Sequence, residues 1–503
     1  MSICLEKALS RPLGVAQGLT KRSMDPATVY AKIVVLTGEA ATLSTENGRW
    51  CYLDAMRLLS RVVGRLRVLV PPECPELLAE VRAYGDAAWS HREFTVFGDT
   101  DMTRHGDVHA VLNVGTQVRS DLPWTSINAN GWIARVSSGK ALPSDSSQAN
   151  PMAALMAASL GVTEVFKRIF EIPDETGPLL ERTEFSLYEL STPPTHRGPP
   201  LPGRIVFPDM LLTGAGAIGN AIALLLSQLP LEGRLQIVDR QRYRDENLGT
   251  CLLLEKSGWL NEPKAVRLAT WLNRHGSLQA EGIEASIEAT LAAGVLNDRH
   301  INLVLNGLDD PAARRVTQQL WPAVIIDGGI NEVGAAVTEY RLDWPESACL
   351  MCWFEAPQID VRELQSKWTG LRTETLEDGG RQLSDCDIEA ADRCRQPWLR
   401  EQQRQGKTVC SIITEAQLAS RLGVETESGF RPSVPFVAAA AAALVIAQAV
   451  KSVLLPALPT VPMFQMGSLF LGPERSAVAR RVPTATCHCQ RHRNSILRLR
   501  QRA

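Results

Sequence analysis

Met210-Leu211-Leu212-Thr213-Gly214-Ala215-Gly216-Ala217-Ile218-Gly219 decides the fold, together with the apolar run Asn220-Ala221-Ile222-Ala223-Leu224-Leu225-Leu226 that follows it. A short buried strand, a glycine turn and a helix in that order open a βαβ unit. Gly214 permits the tight turn, Gly216 lets backbone approach a phosphate, and Gly219 lets helix and strand pack closely, with the helix N-terminus facing the anion. Asp239 lies 20 residues beyond Gly219, at the end of the next apolar run, where its carboxylate can accept hydrogen bonds from ribose hydroxyls. The motif alone does not separate NAD from ATP.

The same pattern recurs upstream. Leu36-Thr37-Gly38 matches Leu212-Thr213-Gly214; Gly64-Arg65-Leu66 leading into Val68-Leu69-Val70 matches Gly233-Arg234-Leu235 leading into Ile237-Val238-Asp239. Val111-Leu112-Asn113 matches Val304-Leu305-Asn306, and Pro151 to Lys167 matches Pro435 to Lys451 at equal spacing. Strands alternating with helical segments imply parallel sheets covered by helices. The expected fold class is therefore α/β, with two Rossmann-like doubly wound domains in tandem. The first is degenerate: Val70 stands at the place of Asp239, and its turn lacks the glycines. The Pro-rich segment 191–209 divides the halves.

At 503 residues the chain has length for about three compact units. Hydrophobic residues make up 45% and charged residues 21%, which excludes general disorder and fibrous classes. With 53 basic and 55 acidic side chains there is no overall field to attract nucleic acid or an anionic membrane, and neither is expected as a partner. The N-terminus lacks the apolar core of a signal peptide, so a cytoplasmic protein is expected. The apolar run from Val434 to Ala447 reads as too short and too alanine-rich to span a bilayer. Arginines near the C-terminus lack interleaved aromatic residues, so a solvated or partner-docking end is expected there.

After Asp239 come Arg240-Gln241-Arg242-Tyr243-Arg244-Asp245-Glu246-Asn247-Leu248-Gly249, then Pro263-Lys264 opening a helix, then Asn306-Gly307-Leu308-Asp309 after a strand. From about residue 205 to 490 the chain resembles the ThiF and MoeB type of adenylating enzyme, which activates ubiquitin and its bacterial sulfur-carrier relatives. The resemblance implies an ATP site with Mg2+. Gly214, Gly216 and Gly219 would form the glycine turn, Asp239 the ribose ligand, Asn247 a further contact, Lys264 the phosphate ligand and Asp309 the magnesium-associated acid. Lys264 and Asp309 would be catalytic through charge neutralisation. The family's Asn-Leu-x-Arg-Gln is here Asn247-Leu248-Gly249-Thr250-Cys251, so one arginine is missing. Arg242, Arg244, Arg11 or Arg22 are the candidates to replace it. In the first half Thr116 stands at the place of Asp309.

Eleven cysteines in a reducing compartment read as ligands, nucleophiles or core residues rather than disulfides. Cys349 and Cys352 form one pair; Cys487 and Cys489 form another, and four thiolates suit a structural zinc ion, with His488 or His492 as substitutes for one sulfur. Between them lie Cys386, Cys394 and Cys410. Cys410 sits nearest to where the family carries its thioester nucleophile, and a helix N-terminus beside it favours a thiolate.

The implied organisation is an inactive domain at 1–190, a linker at 191–209, the ATP-binding domain at 210–352, a catalytic-cysteine crossover at 353–433, and a C-terminal part at 434–503. The expected activity is adenylation of a ubiquitin-like protein, its capture as a thioester and transfer to a conjugating enzyme, as in bacterial antiviral conjugation operons. Such a chain would be a monomer with an internal pseudo-dimer, or a homodimer. An adenylation-only enzyme for a sulfur carrier or peptide is the nearest alternative, followed by an NAD-dependent oxidoreductase and an inactive scaffold.

Overall fold

The computed structural model describes residues 5–87, 93–145, 147–254, 258–296, 301–355, 361–422, 434–458 and 463–502. The chain forms two compact units, Met1–Phe354 with Ser433–Ala503, and Glu355–Pro432.

The larger unit holds two large sheets and a two-stranded one. The first contains β1 (Ile33–Gly38), β2 (Arg65–Leu69), β3 (Glu93–Phe97), β4 (Val108–Val114), β5 (Trp124–Asn130), β6 (Ile133–Ser137) and β7 (Thr183–Ser186), in the order β3-β2-β1-β4-β5-β6-β7. The short strands β8 (Ile205–Val206), β9 (Met210–Thr213) and β10 (Leu231–Glu232) follow, with β8 pairing to β10. The second sheet then takes in β9 together with β11 (Arg234–Val238), β12 (Gln279–Ile283), β13 (Leu303–Asn306), β14 (Val324–Ile330), β15 (Ala335–Arg341), β16 (Phe464–Met466) and β17 (Ser476–Val478). Its order is β12-β11-β9-β13-β14-β15-β16-β17, the order of the first sheet with one strand added.

Registers repeat as well. Leu36 pairs with Leu112 and Thr37 with Asn113; Leu212 pairs with Leu305 and Thr213 with Asn306. In both sheets the first five strands are parallel, and the next pairings, β5 to β6 and β14 to β15, are antiparallel. The tandem Rossmann-like fold is thus present, down to the residue pairs picked out by the sequence repeat.

The two halves meet through helices. Pro151–Ile169 starts with proline at its first position and Asn150 capping the amides of Met152 and Ala153. Its counterpart Pro435–Leu454 packs against it and against Ala217–Gln228, and the alanines from Ala438 to Ala443 allow a close approach. Phe166 and Phe436 lie 5.5 Å apart, with Phe470 at 5.4 and 5.9 Å from them, within one apolar core shared by both halves. The buried Lys451 Nζ donates to the carbonyls of Tyr188 (2.9 Å) and Leu187 (3.3 Å), which ties the second half to the first.

One expectation is corrected here. Pro435–Leu454 is 20 residues long and apolar enough to cross a membrane, so length does not exclude a span. Burial decides the matter, because 83% of its most apolar stretch is covered by protein. The smaller unit has its own core of Leu371, Leu376, Leu383, Ile388, Leu399, Val409 and Ile412.

Candidate functional site

At the carboxyl end of the second sheet, β9 lies between β11 and β13, so the turn after β9 is flanked by the ends of both neighbours. Ligands of open α/β sheets bind at this kind of crevice. Gly214 has φ +90°, and a Cβ there would stand 3.1 Å from the backbone of Gly307 in the loop after β13. A Cβ on Gly219 would lie 2.1 Å from the Gly214 carbonyl oxygen, so helix and strand meet at van der Waals limits. Gly216 precedes the helix Ala217–Gln228 and has nothing within 4 Å of its open side. Asn220, fully buried, donates to the carbonyls of Ala215 (2.9 Å) and Gly216 (3.0 Å) and to the Tyr243 hydroxyl (3.1 Å).

Asp239 accepts from the amide of Ala215 at one oxygen and of Gln241 at the other, both at 2.7 Å. Gln241 also accepts the Lys264 amide on its carbonyl (2.9 Å) and Lys264 Nζ on its side chain (2.7 Å). Lys264 opens the helix Lys264–His275 after Pro263 and is 3% exposed. Gln241, which sequence reasoning missed, therefore joins two expected site residues. Asn247 lies in the turn Asp245–Gly249 and accepts the Arg244 amide at 2.9 Å.

Asp309 follows β13 on an exposed loop. Arg314, also missed, holds that loop: its Nε donates to the Leu308 carbonyl (2.8 Å), Nη1 to Asp327 (2.9 Å) and Nη2 to the Gly328 carbonyl (3.2 Å). Asp327 accepts from Asn306 (2.7 Å), which in turn accepts from Thr213 (2.6 Å), so hydrogen bonds run from β9 to β14 beneath the site. Burial pushes the Asp327 carboxyl up to about 6, against the pull of Arg314 and Asn306. Nothing in the sequence marks Asp327, 18 residues from Asp309, as part of this network.

Geometry separates the candidate arginines. Arg242 is engaged bidentately by Glu284 at 2.7 and 3.0 Å. Glu171, held below the ordinary range chiefly by Lys32, also feels Arg22. Arg11 lies on the helix Leu5–Thr20, which packs against Asp245–Gly249. Burial raises the Cys251 thiol, and the charges of Lys264 and Arg11 pull it back, so both cations sit by the segment that replaces the missing arginine. Arg61 of the first half donates to the carbonyls of Cys251 (3.2 Å) and Leu252 (2.8 Å) and fixes that backbone.

Cys349, Cys352, Cys487 and Cys489 converge, all four sulfurs lying within 4.8 Å of one another. Cys349 is 3.8 Å from Cys352 and 3.5 Å from Cys487, and Cys352 is 3.6 Å from Cys489. A tetrahedron with metal–sulfur bonds of about 2.3 Å has edges of about 3.8 Å, so the set fits a metal such as zinc. His488 and His492 are exposed and stack on each other, so neither is needed as a substitute ligand. The arginine-rich end is no free tail: Arg493 is buried and donates to the carbonyls of Leu342 (2.7 Å), Trp344 and Pro345 (3.1 Å).

In the smaller unit Cys410 is exposed in the first turn of the helix Val409–Leu422, with its amide donating to the Gly379 carbonyl (2.9 Å). Cys386 and Cys394 are exposed too.

Comparison with known proteins gives two family matches. The ThiF family matches residues 204–477, and the BilD N-terminal domain matches residues 32–177. No curated protein matches the chain. Among solved structures, E. coli MccB in complex with MccA-N7isoASN is similar at 14% identity and a TM-score of 0.35, over 56% of this chain and 66% of that one. The chain thus spans just under two thirds of that protein's length.

Proposed function

The chain belongs to the ThiF family, and from that premise we propose that its second half adenylates the C-terminal carboxylate of a ubiquitin-like protein with Mg-ATP. The observation that carries this reading is the convergence on one crevice of the glycine turn, Asp239, Lys264 and the Asp309 loop. In the proposed reaction a carboxylate oxygen of the substrate attacks the α-phosphorus of ATP. The bond from that phosphorus to the bridging oxygen of pyrophosphate breaks, leaving an acyl-adenylate. Asp239 faces the ribose, the turn at Gly214, Gly216 and Gly219 admits the phosphates, and Lys264 and Arg11 neutralise charge, with Asn247 holding the neighbouring loop. Mg2+, held by Asp309, would offset the charge of the phosphate oxygens.

Cys410 is the proposed nucleophile of a second step. Its sulfur attacks the acyl carbon, the bond to AMP oxygen breaks, and AMP leaves a thioester that a conjugating enzyme's cysteine takes over. Its place in the first turn of the helix Val409–Leu422, where no acidic residue stands, supports this choice over Cys386, which lies between Asp385 and Asp387 in the first turn of its own short helix, and over Cys394, which lies in a turn outside any helix. We assign zinc to the four-cysteine site as a structural ion, the first half to a degenerate partner domain, and the whole to the cytoplasm and a ubiquitin-like conjugation pathway of the bacterial antiviral type. An enzyme that stops at the acyl-adenylate shares every feature of the crevice.

The test uses Mg-ATP and candidate ubiquitin-like proteins. Wild type is expected to exchange pyrophosphate into ATP and to form a thiol-sensitive adduct. Asp309→Ala should lose both, whereas Cys410→Ala should keep exchange within about twofold and lose the adduct. An adduct that survives in Cys410→Ala moves the nucleophile elsewhere, and exchange without any adduct in wild type favours the adenylation-only reading.

A further inference from the structure

The first half carries its own turn at the same place, and that turn is filled. Glu39 follows Gly38 at the end of β1, where Ala215 follows Gly214 in the second half. Its carboxylate accepts the amides of Thr116 and Gln117, both at 2.8 Å, the Thr116 hydroxyl at 3.1 Å and Asn113 Nδ2 at 3.4 Å. Thr116 and Gln117 stand where the second half has Asp309 and Asp310. Two successive backbone amides aimed at one oxygen, with a hydroxyl aimed at the other, form a concavity for an oxyanion.

The space beside Gly115 is shaped to the same carboxylate. A Cβ on Gly115 would lie 2.3 Å from the Glu39 carboxyl carbon. Gly115 has no positive φ, so its conformation does not require glycine; a Cβ there would instead push the end of the Glu39 side chain out of its place. The second half has Leu308 at that position and Ala215 opposite it. The two positions therefore differ as a pair: glutamate with glycine in one half, alanine with leucine in the other.

We infer that the loop Gly115–Gln117 is an oxyanion receptor of the phosphate class, and that Glu39 occupies it as an internal ligand. The first half is thereby held in the form of a loaded domain with no nucleotide of its own, and free phosphate is excluded. This inference stands apart from the reaction assigned to the second half.

The test counts inorganic phosphate bound per full-length chain by isothermal titration and 31P NMR, at constant ionic strength, for wild type, Glu39→Ala and Glu39→Gln. Glu39→Ala is expected to bind one phosphate more than wild type and to melt at a lower temperature in chloride, with part of the loss recovered in phosphate. Glu39→Gln keeps an acceptor oxygen in place and should gain no phosphate. If Glu39→Ala does not fold in chloride, phosphate in the refolding buffer is expected to restore it. A folded Glu39→Ala with no added phosphate site, a phosphate gain in Glu39→Gln equal to that of Glu39→Ala, or an unfolded Glu39→Ala that phosphate does not rescue would each overturn the inference.

Discussion

The turn after β9 and the turn after β1 share strand order, register and partner strands, yet one is open and the other is closed from within. In the second half Gly219 lies against Gly214, and Gly216 leaves its side clear. In the first, Leu43 holds the position of Gly219 and packs on Gly38, whose Cβ would stand 2.7 Å from Leu43 Cδ1, while Glu39 fills the amides opposite. A domain that loses its ligand does not keep a hole. Buried amides still need acceptors, and by the inference above a side chain from the same chain stands where a ligand would.

The sharpest way to break this comparison is to remove the residues in the loops after β13 and β4. Asp309→Ala should lower pyrophosphate exchange by on the order of 10²- to 10³-fold, as removal of one charge-stabilising group does. Thr116→Ala at the matching place should change it by no more than about twofold. Equal losses would mean that both turns handle nucleotide.

The four-cysteine cluster belongs to the second half alone among the described residues. Cys352→Ser is expected to lower bound metal from one ion per chain and to reduce the melting temperature by several degrees, measured by elemental analysis and calorimetry. An unchanged metal content would place the ion elsewhere.

A third substitution tests the open turn itself. Gly219→Ala should cost about 1–3 kcal/mol by overpacking against the Gly214 carbonyl and weaken nucleotide binding with it. Leu43→Ala should cost comparable stability from the lost packing and leave nucleotide affinity unchanged.

The smallest effect concerns pH. Asp327 has a folded value of about 6, above its ordinary 3.8. The folded state thus takes up this proton first, and the stability linked to the group is present below about 4 and is lost as pH rises through about 6. Asp327→Asn should remove that dependence between pH 4 and 6 in denaturant melts. Because protonation also discharges the partner of Arg314, exchange by wild type should fall on acidification through pH 6, and in Asp327→Asn it should start lower and lose that step.

Much of this was legible in the sequence, because buried strands leave short apolar runs, turns leave glycines and a core helix leaves a proline at its start, and four matching marks of these kinds recur in order. The cysteine pairs were legible from spacing, and Asp239, Lys264 and Asp309 from their order. Glu39 was not, since a glutamate after a glycine reads as a motif lost rather than a site filled, and the amides that donate to it lie 77 and 78 residues away. Arg314 and Asp327 escaped for the same reason, since they join strand ends that only the folded sheet brings together, and Gln241 because its partner Lys264 lies 23 residues on, at the start of a helix. The helix Pro435–Leu454 shows the limit of composition, because an alanine-rich stretch is silent about whether protein or lipid covers it.

The aromatic trio at the junction of the halves has a consequence for descent. By the spacing of the repeat, the place of Phe166 is taken in the second half by Val450, and that of Phe436 in the first by Met152. In a symmetric homodimer every contact is made twice, so a ring added on one side must be tolerated on the other. With both halves on one chain that requirement is lifted. Each face of the junction is free to change by itself, and unequal rings are what that freedom permits.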